Sequence, residues 1–416
     1  MRRALAILTI AVLLAGCAPK QTEPFPTEVT LLDSSGYVVD GIMEFPDYTF
    51  DGTPTTDELR QTAVRAFRDL LTVRWSTIAP IIYEKAGPVS GKTFTHQPDV
   101  TYAGTLYSNA NAGLFQFLEY YDFDTGRLNY PGDTKDLKRD LGAACADAML
   151  WGVATVCNSF DGAYYPVTMV YKNGYLPVGD YTYDFTIDNY NDLPTYRIVE
   201  SNGPEIMLDA YSKMLPADML TSTPDNHGMM VIEAPTVVYK EDGSIDPDKS
   251  IVLIQDQRAG SGDGFYEVEE DGQILQYSGR TSAEFTFAKL LERSYLPVTT
   301  AEFIGEKAYE AATAELDREC KSVSALTEAT VKCNYPLAVV CVTVTEASGK
   351  SHTIGRQLFS GKKQPGVPRT FKLSDLECLA DFTNSPYNIA GCTLSIQVVP
   401  ATGDRITVAS IPLTGK

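Results

Sequence analysis

The sequence predicts an α+β chain in two parts. A larger unit packs a cysteine-bearing helix on an antiparallel sheet, and a small all-β, sandwich-like unit follows it. Three observations point there. Between residues 55 and 319, helix-period segments alternate with short strand-like runs. One of those segments, around Cys145, is apolar nearly all round and built of small residues, as a buried helix is. From about residue 320 the texture becomes strands and turns at hairpin spacing. With 416 residues and 44% hydrophobic side chains, the chain can bury two cores.

The N-terminus reads as an address. Arg2 and Arg3 precede a run from Ala4 to Ala15 that is apolar except for Thr9, and Leu14-Ala15-Gly16-Cys17 ends it. The run is too short to span a bilayer and fits a secretion signal, residues 1–16. Leu-Ala-Gly-Cys resembles the bacterial lipobox. That resemblance implies a lipid on Cys17, which becomes the first residue of a protein anchored to a bacterial membrane, at the outer membrane or cell surface. Residues 17–54 then form the lipidated Cys, a polar Pro-containing tether and an irregular lead-in.

Thr55-Thr56-Asp57-Glu58 opens a helix, with hydroxyl caps, early carboxylates and an apolar face of Leu59, Val64, Phe67, Leu70 and Leu71. Strands and turns follow to Tyr107, and a second helix is expected over Asn109–Tyr121. The small-residue helix spans about 141–154. Tyr-rich strands, a helix from Pro204 to Met214, and two neighbouring strands, Met229–Tyr239 and Ser250–Gln255, come next. An acidic hairpin at 263–280 and a short helix, Phe285–Arg293, close the larger unit. The cluster Glu267, Glu269, Glu270 and Asp271 reads as a solvated hairpin edge. In residues 320–416, strands are expected at Leu337–Thr345, His352–Leu358, Thr370–Leu373, Cys392–Val399 and Arg405–Ile411.

Composition narrows the function. A net charge of −20 argues against nucleic acid, whose phosphates need clustered Lys and Arg. Only three His occur, His96, His227 and His352, too few and too scattered for a zinc hydrolase, and no metal site is expected. There is no Gly-x-Ser-x-Gly elbow and no phosphate loop. Of eight Cys, lipidation of Cys17 leaves Cys145, Cys157, Cys320, Cys333, Cys341, Cys378 and Cys392. An odd number suggests at least one free thiol, with up to six able to pair.

Cys145 is the best candidate for that thiol. It stands near the start of the small-residue helix, where the backbone dipole favours a thiolate, the attacking species. His227 stands at the entrance to the strand from Met229 and is placed to exchange a proton with it. The base needs an orienting partner on the next strand, which ends in Gln255, Asp256 and Gln257. Gln255 is favoured and Asp256 is next; Gln255 and Gln257 share one face and Asp256 takes the other. His96 lies in a polar stretch and reads as surface. Trp151 and Cys157 read as core.

Cys on a helix, then His on a strand, then a polar group on the next strand resembles the papain-like fold, and within it the bacterial NlpC-type cysteine peptidases and amidases. Gly142-Ala143-Ala144-Cys145-Ala146-Asp147-Ala148 stands where that family has its Asp-Cys-Ser-Gly box. Asn226-His227-Gly228-Met229-Met230-Val231 stands for its Gly-His-Val segment. Tyr102-Ala103-Gly104-Thr105-Leu106-Tyr107-Ser108 is similar to its Gly-x-Pro-Tyr element, which makes Tyr107 the substrate-placing Tyr. The resemblance implies a cofactor-free hydrolase of amide bonds in peptidoglycan stem peptides or another envelope peptide. The alternative is a non-catalytic surface lipoprotein that binds cell-wall glycan or peptide, with Cys145 as core.

Overall fold

A computed structural model of the chain describes residues 45–84, 93–98, 100–108, 110, 112–130, 141–159, 175–183, 194–258, 266–270, 273–277, 279–359 and 368–415. The expected signal segment, Cys17 and most of the tether lie outside the described residues. The chain is α+β, with several largely antiparallel sheets and few helices. Among the described residues, no helix is long and apolar enough to cross a membrane.

The sheet that organises the site has six strands. In spatial order they are Gly279–Thr286, Ile251–Gln257, His227–Val231, Met219–Ser222, Leu296–Thr300 and Tyr175–Pro177, each antiparallel to its neighbour. Two helices lie against it. The first, Thr56–Thr72, opens with a reciprocal cap: the Thr55 hydroxyl accepts from Glu58 N–H, and the Glu58 carboxylate accepts from Thr55 N–H at 2.7 Å. The second, Cys145–Ala154, is buried along its whole length and packs on the first helix and on the His227 and Ile251 strands.

A buried ion pair fastens the first helix to this sheet. Arg60 Nη1 meets Asp218 Oδ1 at 2.8 Å, with only 3% and 2% of the two side chains exposed. The remaining Arg60 donors reach the Pro216 and Phe303 carbonyls and Thr299. All three guanidinium nitrogens therefore donate, with four of the five N–H groups placed.

Several elements differ from their expected bounds for local reasons. The helix expected over Asn109–Tyr121 is confined to Leu114–Leu118, since Gly113 offers no side-chain cap and the chain turns into a strand at Tyr121. The Pro204–Met214 helix extends back to Thr195, with a break at Gly203 (φ 78°) just before Pro204. The strand expected to run to Tyr239 ends at Val231; Pro235 follows, and only an isolated bridge, Thr236 to Ile251, continues the pairing. His96 is not a surface residue. It is buried beside Trp75 and Tyr102, with ring centroids 4.9 and 4.3 Å away, and burial lowers its imidazole to about 3, so it is neutral.

In the C-terminal part, a four-stranded sheet (Ser351–Leu358, Leu337–Thr345, Thr393–Pro400, Ile406–Pro412) and a three-stranded sheet (Ala314–Leu316, Thr330–Cys333, Thr370–Lys372) share one apolar cluster. The other face of the four-stranded sheet joins the core of the larger unit through Val339, Cys341 and Val399. Burial on both faces explains the nearly continuous apolar run of Leu337–Val344, broken only by Thr343. The two parts are also joined by Gln116 Nε2 donating to Phe359 O and by Glu119 with Arg405 at 2.6 Å. All seven described Cys are free thiols, so the six besides Cys145 form no disulfides.

Asp218→Ala leaves Arg60 charged, buried and unpaired. Urea unfolding should show a loss of about 3–5 kcal/mol; a variant as stable as the parent would show that the pair does not hold the helix.

Candidate active site

Three segments converge on Cys145. The stretch 104–108 is pinned to the end of the first helix, with Gly104 N–H to Val73 O and Thr105 N–H to Leu70 O, both at 2.9 Å. The loop before the Cys145 helix is pinned to that stretch in turn. Ala143 N–H donates to Leu106 O at 3.0 Å, and the Ser108 hydroxyl donates to Leu141 O at 2.6 Å. Gly142 permits this approach. Its φ is +93°, and a Cβ there would lie 2.2 Å from Leu106 O. Cys145 is then the first residue of the helix, after Ala144 at the cap position. Tyr107 lies against it, close enough for the Cys145 thiol and backbone to act on the Tyr107 hydroxyl.

The third segment is the hairpin between Ser222 and His227. Thr195 and Thr223 bond reciprocally, while Arg293 and the Tyr295 hydroxyl hold Asp225 at 3.1 and 2.9 Å. Asn226 takes a left-handed conformation (φ 47°), which Asn tolerates well, and its carbonyl accepts from Cys145 Sγ at 3.8 Å. The strand after it is pressed on the Cys145 helix. A Cβ on Gly228 would lie 3.3 Å from Ala146 Cα and 3.2 Å from Met149 Cε.

His227 therefore stands between Cys145 and the next strand. Its Nε2 is 2.7 Å from Asp256 Oδ2. The Cys145 thiol also interacts with the ring, and with Nε2 on the carboxylate Nδ1 is the nitrogen left to face it. Asp256 is fully buried and takes a two-pronged bond from Arg280, Nε to Oδ1 at 2.8 Å and Nη2 to Oδ2 at 2.6 Å.

These contacts set the charges. Burial alone would lower the His227 imidazole, but the bonds and charges of Asp256 and Cys145 outweigh it and raise it to about 9. Burial alone would raise the Asp256 carboxyl, but Arg280 and His227 hold it below its ordinary value. At neutral pH, His227 is thus an imidazolium paired with a carboxylate. Burial, then the charges of Cys145 and Asp147, push the Tyr107 hydroxyl far up, so it remains a hydrogen-bond donor. Asp147, in the first turn of the Cys145 helix, is raised to about 7 by burial, which the nearby Ala144 and Asp147 N–H groups only partly offset.

The structure brings Cys145, His227 and Tyr107 together and leaves Gln255 out. Gln255 Nε2 donates to Val64 O in the first helix at 2.9 Å, and Gln257 Nε2 donates to Thr105 O at 3.0 Å. Both amides face the first helix and the stretch tied to its end, whereas Asp256 faces His227. The orienting residue is Asp256, and strand alternation explains why only one of the two faces can supply it. Arg280, Asp147 and Asn226 also belong to the site and were not singled out from sequence. Arg280 carried no signal, because the cross-strand register that places it is not a local property. Trp151 and Cys157 are buried, and His352 pairs with Glu346 far along the chain in the small unit. Among the described residues, no group of three or more His, Cys, Asp and Glu could hold a metal ion. No protein-family model matches this chain, and no curated protein or solved structure matches it either.

Two outcomes follow. Gly142→Ala should cost several kcal/mol in unfolding experiments and slow the labelling of Cys145, since it pushes Leu106 from the loop; unchanged labelling would separate that loop from the site. The His227 charge also links stability to pH. Its folded value lies above the ordinary 6.5, so the stabilisation is fully present below pH 6.5 and lost as pH rises through about 9. The difference in thermal midpoint between the parent and His227→Gln should shrink over that window; a constant difference would contradict the charged pair.

Proposed function

We propose that this chain is an envelope lipoprotein cysteine hydrolase of papain-like, NlpC-type character, which cleaves an amide bond in peptidoglycan stem peptides. The observation that carries the reading is the line from the Cys145 thiol through His227 to Asp256, at the start of a buried helix. A thiol, an imidazole and a buried carboxylate in that order are what a thiolate nucleophile with an oriented acid–base requires. The substrate class rests on the resemblance of the Cys145, His227 and Tyr107 segments to that family. Anchoring through Cys17 rests on the lipobox-like Leu14-Ala15-Gly16-Cys17.

The chemistry runs as follows. The reacting form is the one in which the Cys145 proton sits on His227, a thiolate beside the imidazolium, and the thiolate attacks the amide carbonyl carbon. The carbonyl oxygen becomes an oxyanion, toward which the Cys145 N–H at the helix start and the Tyr107 hydroxyl can donate. The C–N bond breaks as the His227 imidazolium gives its proton to the leaving amine. Water then attacks the thioester while His227 takes one of its protons. The C–S bond breaks, the acid product leaves, and the thiolate–imidazolium pair is restored. No cofactor takes part. Asp256 keeps the ring oriented and stabilises its charged form throughout.

Incubating residues 18–416 with purified peptidoglycan and muropeptides, beside Cys145→Ala, tests this by mass spectrometry of the products. New fragments with the parent alone are expected, and they would identify the bond. Asp256→Asn should retain the fold but lower turnover by about a hundredfold or more, because it removes the charge that holds the imidazolium. Absence of fragments together with a Cys145 that resists alkylation in the folded protein would leave the alternative, a lipoprotein that binds cell-wall material without cutting it.

A further inference from the structure

We infer that Arg280 is a positioning residue for the hydrolysis proposed above, on which the inference rests: it fixes the Asp256 carboxylate in plane and limits how strongly that carboxylate charges His227. The geometry is a fork. Two guanidinium nitrogens reach the two Asp256 oxygens at 2.8 and 2.6 Å, and Oδ2 is shared with His227 Nε2 at 2.7 Å. The carboxylate is completely out of water, so these two cations are what balance its charge. A carboxylate bound at one oxygen alone could turn about its last bond. The fork removes that freedom and leaves Oδ2 aimed at the imidazole.

The backbone is built to deliver this contact. Ile254 lies opposite Ala283 and Asp256 opposite Arg280, so four residues of one strand span three of the other. The Gly279–Thr286 strand therefore carries one extra residue at this point. Regular pairing would set Arg280 opposite Gln257, on the face that Gln257 uses to reach Thr105 O. The bulge moves Arg280 to the face of Asp256. Arg280 also keeps 23% of its side chain exposed, so it borders the site and is not core.

The groups that face His227 are the Cys145 thiol from the helix and Asp256 from the next strand. Tyr107 and Asp147 lie behind Cys145, and Asp225 with Arg293 and Tyr295 braces the hairpin. Of the two guanidinium groups in this set, Arg293 is spent on Asp225, and Arg280 is the one that shares the carboxylate of the imidazolium. Removing its charge leaves Asp256 to His227 alone and stabilises the imidazolium further.

The test is the titration of the three His rings by nuclear magnetic resonance in the parent, Arg280→Gln and Arg280→Lys, with the rate of Cys145 alkylation measured across pH. His96 is held neutral near 3, so only His227 and His352 compete for assignment at neutral and alkaline pH. Arg280→Gln should raise the His227 midpoint by about one pH unit. Arg280→Lys keeps the charge but loses the fork. It should leave the midpoint close to that of the parent and slow alkylation several-fold. An unmoved midpoint in Arg280→Gln with only a lower thermal midpoint would reduce Arg280 to a structural role and overturn the inference. Should Arg280→Gln fail to fold, Arg280→Lys decides alone: parent-like alkylation at every pH overturns the inference, and slowed alkylation with an unmoved midpoint sustains it. Neither readout needs a substrate, so inactivity on peptidoglycan would sink the proposed function and leave this result standing.

Discussion

Asp256 is a carboxylate taken wholly out of water, and the site is arranged around the cost of putting it there. A buried unpaired carboxylate would take up a proton and lose its charge. Arg280 on one side and His227 on the other keep it ionised, and it in turn keeps His227 charged. The position of the imidazole, and so of the ring edge that faces Cys145, follows from this one group. So does the bulge opposite Asp256, without which Arg280 would face the wrong side of the sheet.

The other half of the site is backbone. Cys145 begins its helix where the loop 141–144 is tied to the buried stretch 104–108, and the Asn226 carbonyl reaches the thiol from the hairpin. These pieces can approach closely because Gly142 and Gly228 leave no side chain in the way. Helix and strand are each held from behind as well. Arg60 and Asp218 fasten the first helix to the sheet, and the small β unit presses its doubly buried strand against the same core. The proposed nucleophile therefore sits on a rigid support, which near-attack geometry requires.

Much of this was legible in the sequence, and the remainder has physical reasons. The capping box at Thr55 and Glu58, the buried small-residue helix, and the turn-punctuated strands after residue 320 are local patterns. Cys145 at a helix start and His227 at a strand start are local too. The choice among Gln255, Asp256 and Gln257 was not. Alternation separates the three into two faces but does not say which face meets the His. That depends on how the first helix lies on the sheet, where the Val64 carbonyl claims Gln255. Arg280 depends on a one-residue slip between two strands, and the burial of His96 depends on its packing against Trp75 and Tyr102.

The most direct measurement is peptide-resolved alkylation of the folded protein under limiting reagent, in the parent and in His227→Ala. The Cys145–His227–Asp256 line requires that Cys145 take the label ahead of the six other described thiols, and that loss of His227 slow it markedly. Labelling of Cys145 at the pace of the buried structural thiols, or a rate indifferent to His227, would contradict a thiol activated by that imidazole.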